Sequence, residues 1–386
     1  MIRMISVNKM KKLLIIILGI FLIGFVFEGI IANKSNVYKE QKVGSIKKNK
    51  KLLSINLEQT AGAGDYKTVT QSNWPTDGYV FNEELSKCEN GSTLSWDEIN
   101  KKVIVSGSLT DKCYVYFDIY VPTLAEYIIN NIWTGTQGDN SLYYHNSSLI
   151  NGASDNSYRY AGKSNLVNNY VCFNYDETNI CPTGNLYRIV GVFDNQVKLM
   201  KISSIGKYPW DESGINTWST SSLNKYLNET FYNQINPTWQ NMIETTTWKV
   251  GGNTGANIRD AVPSVAYKNE IETPAENITH DAKIGLLYAS DFGFAVSPSL
   301  WTTTLFNYSI SSSNWMNVPS FGEWTITPLL SRETNSLAFE IASGYVTNNY
   351  VNYIDCNVRP SFYLKSDVRY AGGVGSSTDP FRISMN

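Results

Sequence analysis

The sequence predicts an α+β fold in three parts: an N-terminal transmembrane helix, a small β-rich domain, and a C-terminal mixed domain. Three observations predict it. An apolar run fills residues 13–32, strand-type segments crowd residues 66–120, and a strong hairpin pattern near residue 190 is answered by further strands close to the C terminus. The 386 residues are 42% hydrophobic, enough for at least one real core. Charged residues make up 17%, well under the usual ~25%, while 25 Tyr, 10 Trp and 15 Phe make the chain aromatic-rich. Disorder of most of the chain, a collagen-like repeat and a polytopic membrane protein are all excluded by this composition.

Residues 1–12 read as a cytoplasmic tip and 13–32 as a signal-anchor. The run holds 15 Leu, Ile, Phe or Val residues, whose insertion is favourable by about 4.5–9 kcal/mol, against at most about 3.5 for Glu28 near one end. Lys9, Lys11 and Lys12 precede it, as in an export signal. Residues 33–65 are polar and Lys-rich, ending in Ala61-Gly62-Ala63-Gly64, and read as a stalk. Residues 1–51 carry 11 Lys/Arg against 2 Asp/Glu, and the remainder 21 against 32. An acidic globular part lacking a basic cluster argues against nucleic-acid binding, because phosphate neutralisation needs grouped Lys and Arg.

Residues 66–120 read as the small β domain. Lys102–Gly107 and Cys113–Asp118 have strand composition, and Asn73–Gly78 is turn chemistry. A unit of this size has a small core and gains from a covalent staple. The five cysteines are Cys88, Cys113, Cys172, Cys181 and Cys356, with no Cys-x-x-Cys pair. Two local disulfides are expected, Cys88–Cys113 and Cys172–Cys181, which suits an oxidising exterior. Cys356 is left over, as a buried thiol or, alternatively, a nucleophile.

Residues 121–185 read as a helix followed by a long polar loop. Pro122 sits at the helix start, with Leu124, Ile128 and Ile132 at helical spacing. From Leu186 the texture changes. Residues 186–193 and 196–202, joined by Asp194-Asn195, form the best hairpin signal in the chain. A helix follows Ser219–Ser222 with Leu223, Leu227 and Phe231 on one face, and Pro237 opens another. Strands are expected at 324–330, 337–341, 345–353 and 358–365. Residues 186–386 are therefore an α+β domain whose sheet is completed from both ends of the segment.

Four stretches together resemble a domain of unknown function found in surface and secreted proteins of low-GC Gram-positive gut bacteria. They are SYRYAG…NNYVCFNYDETNICPTGNLYRIVGVF (157–193), WSTSSLNKYLNETFYN (218–233), ITPLLS (326–331) and NVRPSFYLKSDVRYAGGVGSSTDPFRI (357–383). The Val358-Arg359-Pro360 strand is also similar to the closing strand of C-type-lectin-like and formylglycine-generating-enzyme-like domains. The resemblance implies a compact lectin-like α+β fold with long irregular loops, and carries no activity with it.

Catalytic motifs are sought without result. His145 and His280 are the two histidines, both in polar surroundings, and read as loop-tying. No His-Glu-x-x-His, EF-hand loop or Gly-x-Ser-x-Gly elbow occurs, so neither metal nor cofactor is expected. Ala161-Gly162-Lys163-Ser164 has no Gly five residues before Gly162 and no apolar strand ahead of it, so it is no phosphate loop. Binding residues are instead expected among the C-terminal aromatics: Trp301, Trp315, Tyr345, Tyr350 and Tyr353, whose rigid rings amid Asn, Ser and Thr suit recognition of a glycan or a protein. The sequence thus favours an extracellular, membrane-anchored binding or adhesion-type surface protein. A secreted hydrolase or formylglycine-generating-like enzyme and a structural component of a surface fibre are the alternatives.

Overall fold

The computed structural model describes residues 53–70, 75, 77–108, 110–175, 180–308, 313–316, 322–331 and 335–385. Strict alternation builds the first sheet. In β6 (Cys113–Ile119) Cys113, Val115 and Phe117 are buried, as a strand's two-residue period requires. β1 (Leu53–Glu58) runs parallel to it with Ile55 opposite Val115. β2 (Tyr66–Val69) and β3 (Tyr79–Cys88) complete a sheet in the order β2-β1-β6-β3. A hairpin of β4 (Thr93–Asp97) and β5 (Lys102–Ser106) lays Leu94, Trp96 and Val103 over the small core of Ile55, Leu57, Val115 and Phe117. The Cys88–Cys113 disulfide ties β3 to β6 where the two strands pair.

The C-terminal part is organised around the hairpin of β10 (Leu186–Phe193) and β11 (Gln196–Lys201), reached through β7 (Leu142–Tyr144), β8 (Tyr158–Tyr160) and β9 (Tyr170–Cys172). Asp194 and Asn195 have φ of 47° and 64°, the two left-handed positions of a primed turn that matches strand twist. Gly191 is required there, since a Cβ on it would lie 2.3 Å from the Tyr158 carbonyl oxygen. β12 (Thr246–Lys249) pairs with β13 (Thr279–Ala282). A meander follows, β14 (Glu323–Leu329), β15 (Leu337–Ala342) and β16 (Tyr345–Tyr350). β17 (Ser361–Tyr363) returns to the edge of β11, giving the order β17-β11-β10-β8-β7 with β9 on the far end of β10. β18 (Arg369–Gly372) and β19 (Arg382–Ser384) form a last ribbon.

Helices are short. They are α1 (Leu124–Tyr127), α2 (Ser222–Lys225), α3 (Pro237–Gln240), α4 (Pro263–Tyr267) and α5 (Ala289–Phe294). The coil widens into π turns after α1, α2 and α4, at Ile128–Ile132, Tyr226–Phe231 and Lys268–Glu272. Thr123 and Glu126 form a capping box at α1. Trp210, Trp218, Trp248, Trp301 and Trp324 are fully buried between these turns and the sheets. Each contributes on the order of 3–5 kcal/mol relative to Ala.

Several expectations are corrected. The described chain is mostly β, with few and short helical stretches, so the α+β class does not hold. The helices expected from the apolar periodicity at 122–133 and 219–235 are present, each beginning as an α-helix and continuing without a break into a π turn, to Ile132 and past Phe231. The transmembrane helix expected at 13–32 lies outside the described residues, and among the described residues no helix is long and apolar enough to cross a membrane. Residues 53–58, read as the end of a stalk, are strand β1, because Ile55 and Leu57 supply half of the small core. The polar loop of 134–185 contains three short strands, β7 to β9.

Candidate functional site

The helical segment begun by α2 has two faces. Leu223, Leu227 and Phe231 recur at helical spacing and are buried. Ser221, Asn224, Lys225, Asn228, Glu229 and Tyr232 recur on the other side and line a cleft of about 680 Å³. His280, Asp281, Ala282 and Lys283 form its facing wall, and Ser219, Thr220 and Thr245 complete the lining.

Hydrogen bonds fix both walls. The Ser221 hydroxyl accepts from the Asn224 N–H at 3.1 Å, capping the helix. The Asp211 carboxylate accepts from the Ser222 N–H at 3.0 Å. Burial alone would raise Asp211, but donors from Ser213, Ile215 and Ser222 outweigh it and hold the group below its ordinary value. Asn228 is the clamp between walls: its Oδ1 accepts from the N–H groups of Lys283 (3.2 Å) and Ile284 (2.9 Å), and its Nδ2 donates to the Ile284 carbonyl (2.9 Å). Asn224 Nδ2 meets His280 Nε2 at 3.0 Å. An amide in that position orients the imidazole rather than activating it as a base.

The lining has a distinct chemistry. Asn, Ser and Thr side chains both donate and accept, Lys225 and Lys283 balance Glu229 and Asp281, and Tyr232 is the one Phe, Tyr or Trp in the lining. The balance of charges favours a neutral ligand, and the volume lies in the range of small-molecule sites. A narrower cleft of about 190 Å³ opens beside it, sharing Ser219 and lined by Trp218, Val250 and Ile278.

A second polar group is sealed in the core. Arg159 Nη2 lies 2.5 Å from Asp155 Oδ2 and its Nη1 3.4 Å from Asp291 Oδ1, while Lys198 Nζ lies 2.6 Å from Asp291 Oδ2. Glu270 accepts from the N–H groups of Ala289 (3.0 Å) and Ser290 (2.9 Å) and from the Thr327 hydroxyl (2.6 Å). Burial raises Glu270 and lowers Lys198. His145 is also fully buried, with Nδ1 accepting from the Ala153 N–H at 3.0 Å. Burial, helped by Arg159, holds its imidazole well below the ordinary value. A histidine kept neutral in this way contributes stability that is present above about pH 6.5 and lost as the pH falls through that value, because the unfolded chain then takes up the proton first. Between pH 7.5 and 5.5 the native chain should lose up to about 1.4 kcal/mol per unit below 6.5. His145→Asn, which keeps an acceptor and cannot titrate, should show a flatter urea-midpoint profile, and identical slopes for the two proteins would refute this.

The expected aromatic site divides. Trp301 and Trp315 are 1% and 3% exposed. Trp315 donates to the Tyr160 carbonyl at 2.8 Å, and Trp301 packs on His145 and Phe294. Both are core residues, because their rings fill space under irregular loops that small side chains cannot fill. Tyr345 is half-buried against Phe306. Tyr350 and Tyr353 are 60% and 42% exposed, near Ile354 at 72%. Cys88–Cys113 and Cys172–Cys181 are bonded as expected. Cys356 is buried against Glu340 at 3.3 Å, and burial, then the Glu340 carboxylate, pushes its thiol far up. Both effects disfavour the thiolate, the nucleophilic form of cysteine.

Sequence reasoning missed the cleft. The signal was the polar half of the 218–233 segment, whose Asn and Ser residues repeat three and four apart, but the partner wall at 280–283 carries no motif. No curated protein and no solved structure matches the chain. A family model described as a domain of unknown function, DUF6273, matches residues 194–271, a stretch that includes the helical wall of the cleft and not the His280 wall.

Proposed function

We propose that the chain is a binding protein of the cell exterior, and that the cleft between the α2 segment and β13 takes a neutral, hydroxyl-rich ligand, a glycan. The cleft's lining carries this reading: side-chain amides and hydroxyls, balanced charges and a single tyrosine match the alternating donors and acceptors of a sugar. Two disulfides support a place outside the reducing cytosol, as does the resemblance to bacterial surface and secreted proteins. The burial of Cys356 beside Glu340, which disfavours its thiolate, weighs against a formylglycine-generating-like activity, which needs a reactive thiol.

The test is a screen of the full chain against an array of neutral oligosaccharides, followed by titration of the best binder. Tyr232→Ala and His280→Ala should each weaken binding by about tenfold or more, equivalent to about 1.4 kcal/mol, while Tyr350→Ser should leave it unchanged. An empty array, or binding that Tyr350→Ser removes and the cleft variants do not, contradicts the proposal.

A further inference from the structure

Lys198 lies on β11, in the central sheet, and Asp291 on α5, 93 residues further along the chain. Both are buried, with side chains 1% and 3% exposed. The Lys198 ammonium sits among the rings of Trp248, Tyr288 and Tyr363, at 5.4, 4.7 and 5.3 Å from their centroids. Its nitrogen is 2.6 Å from Asp291 Oδ2, so the amine and the carboxyl group are in direct hydrogen-bond contact. The other carboxyl oxygen, Oδ1, faces Arg159 Nη1 at 3.4 Å, and Oδ2 also accepts from the Tyr288 N–H at 3.0 Å. An amine, a carboxyl group and donors on both carboxyl oxygens are therefore held together in a dry, ring-lined site.

We propose that Lys198 and Asp291 condense with each other to form an intramolecular amide cross-link between β11 and α5. The step is internally balanced. One proton passes from the ammonium to Oδ2 along the short hydrogen bond, leaving a neutral amine beside a carboxylic acid. Nζ attacks Cγ, and the negative charge that develops on Oδ1 is met by Arg159. A second proton moves from Nζ to Oδ2, the Cγ–Oδ2 bond breaks, and water leaves. The third hydrogen stays on the amide nitrogen, and no oxidant or co-reactant is consumed. Burial favours the first transfer, since it lowers the Lys198 ammonium. Condensation also removes one buried positive and one buried negative charge, and Arg159 keeps Asp155 as its counter-ion at 2.5 Å.

Peptide mapping of the full chain decides the matter. The folded protein is denatured, digested with trypsin and analysed by mass spectrometry. The expected product is one joined species containing residues 198 and 291, lighter by one water than its two component peptides summed, with no cleavage after Lys198. Lys198→Arg should lack that species. Recovery of the two segments as separate, full-mass peptides from the folded wild-type chain overturns the proposal, and this measurement needs no variant to fold.

Discussion

Asp291→Ala should cost about 3–5 kcal/mol of stability, measured as the loss in unfolding free energy in urea. Three contacts disappear together. Lys198 loses its partner at 2.6 Å, Arg159 loses the one at 3.4 Å, and the Tyr288 N–H at the start of α5 loses its 3.0 Å acceptor. The penalty comes chiefly from what stays behind: an ammonium enclosed by three rings with no counter-ion in contact. A paired replacement, Lys198→Met with Asp291→Leu, removes both charges and should recover a good part of the loss. Equal destabilisation by the single and the double variant would show that the pair's charge is immaterial. An amide between the two residues would be lost equally in both variants, so the cost of the stranded charge is read from the difference between the single and the double variant.

Arg359→Met should have an effect of the same order, with a pH dependence that identifies its cause. Arg359 Nε donates to Glu323 Oε2 at 2.7 Å and Nη2 to the Met316 carbonyl at 2.7 Å, and both charged side chains are 5% exposed or less. Burial already raises Glu323, opposed by Arg359. With the guanidinium gone, the carboxyl rises further and takes a proton in the folded state. The sign follows from linkage: a folded carboxyl raised above its unfolded value loses stability as pH climbs from about 4.5 through the folded value. The deficit of Arg359→Met should therefore be about 3–5 kcal/mol near pH 7.5 and shrink toward pH 5. Adding Glu323→Gln should flatten that dependence. A deficit independent of pH would place the loss in packing rather than charge.

Legibility in the sequence followed locality. The β10–β11 hairpin could be read because Asp194 and Asn195 are the residues that accept the left-handed backbone a primed turn needs, and both adopt it. The disulfides could be read because each closes a short loop, 25 and 9 residues long. β1 could not, since it is bracketed by lysines and glycines and becomes a strand only beside β6. The helices at 124–132 and from Ser222 past Phe231 could be read from their buried face, but periodicity does not tell where an α-helical coil widens into a π turn. The burial of Trp301 and Trp315 was hidden for a related reason: polar neighbours in sequence say nothing of Phe294, His145 or Tyr160 in space. The cleft needs His280 beside Asn224, a contact 56 residues apart that no local pattern encodes.

Hydrogen–deuterium exchange on the full chain, with and without the strongest neutral oligosaccharide from the array, tests the account most directly. Ligand should slow exchange at residues 219–232 and 279–284, the two walls joined by Asn228. Protection confined to Tyr350, Tyr353 and Ile354, with both walls unchanged, would contradict it.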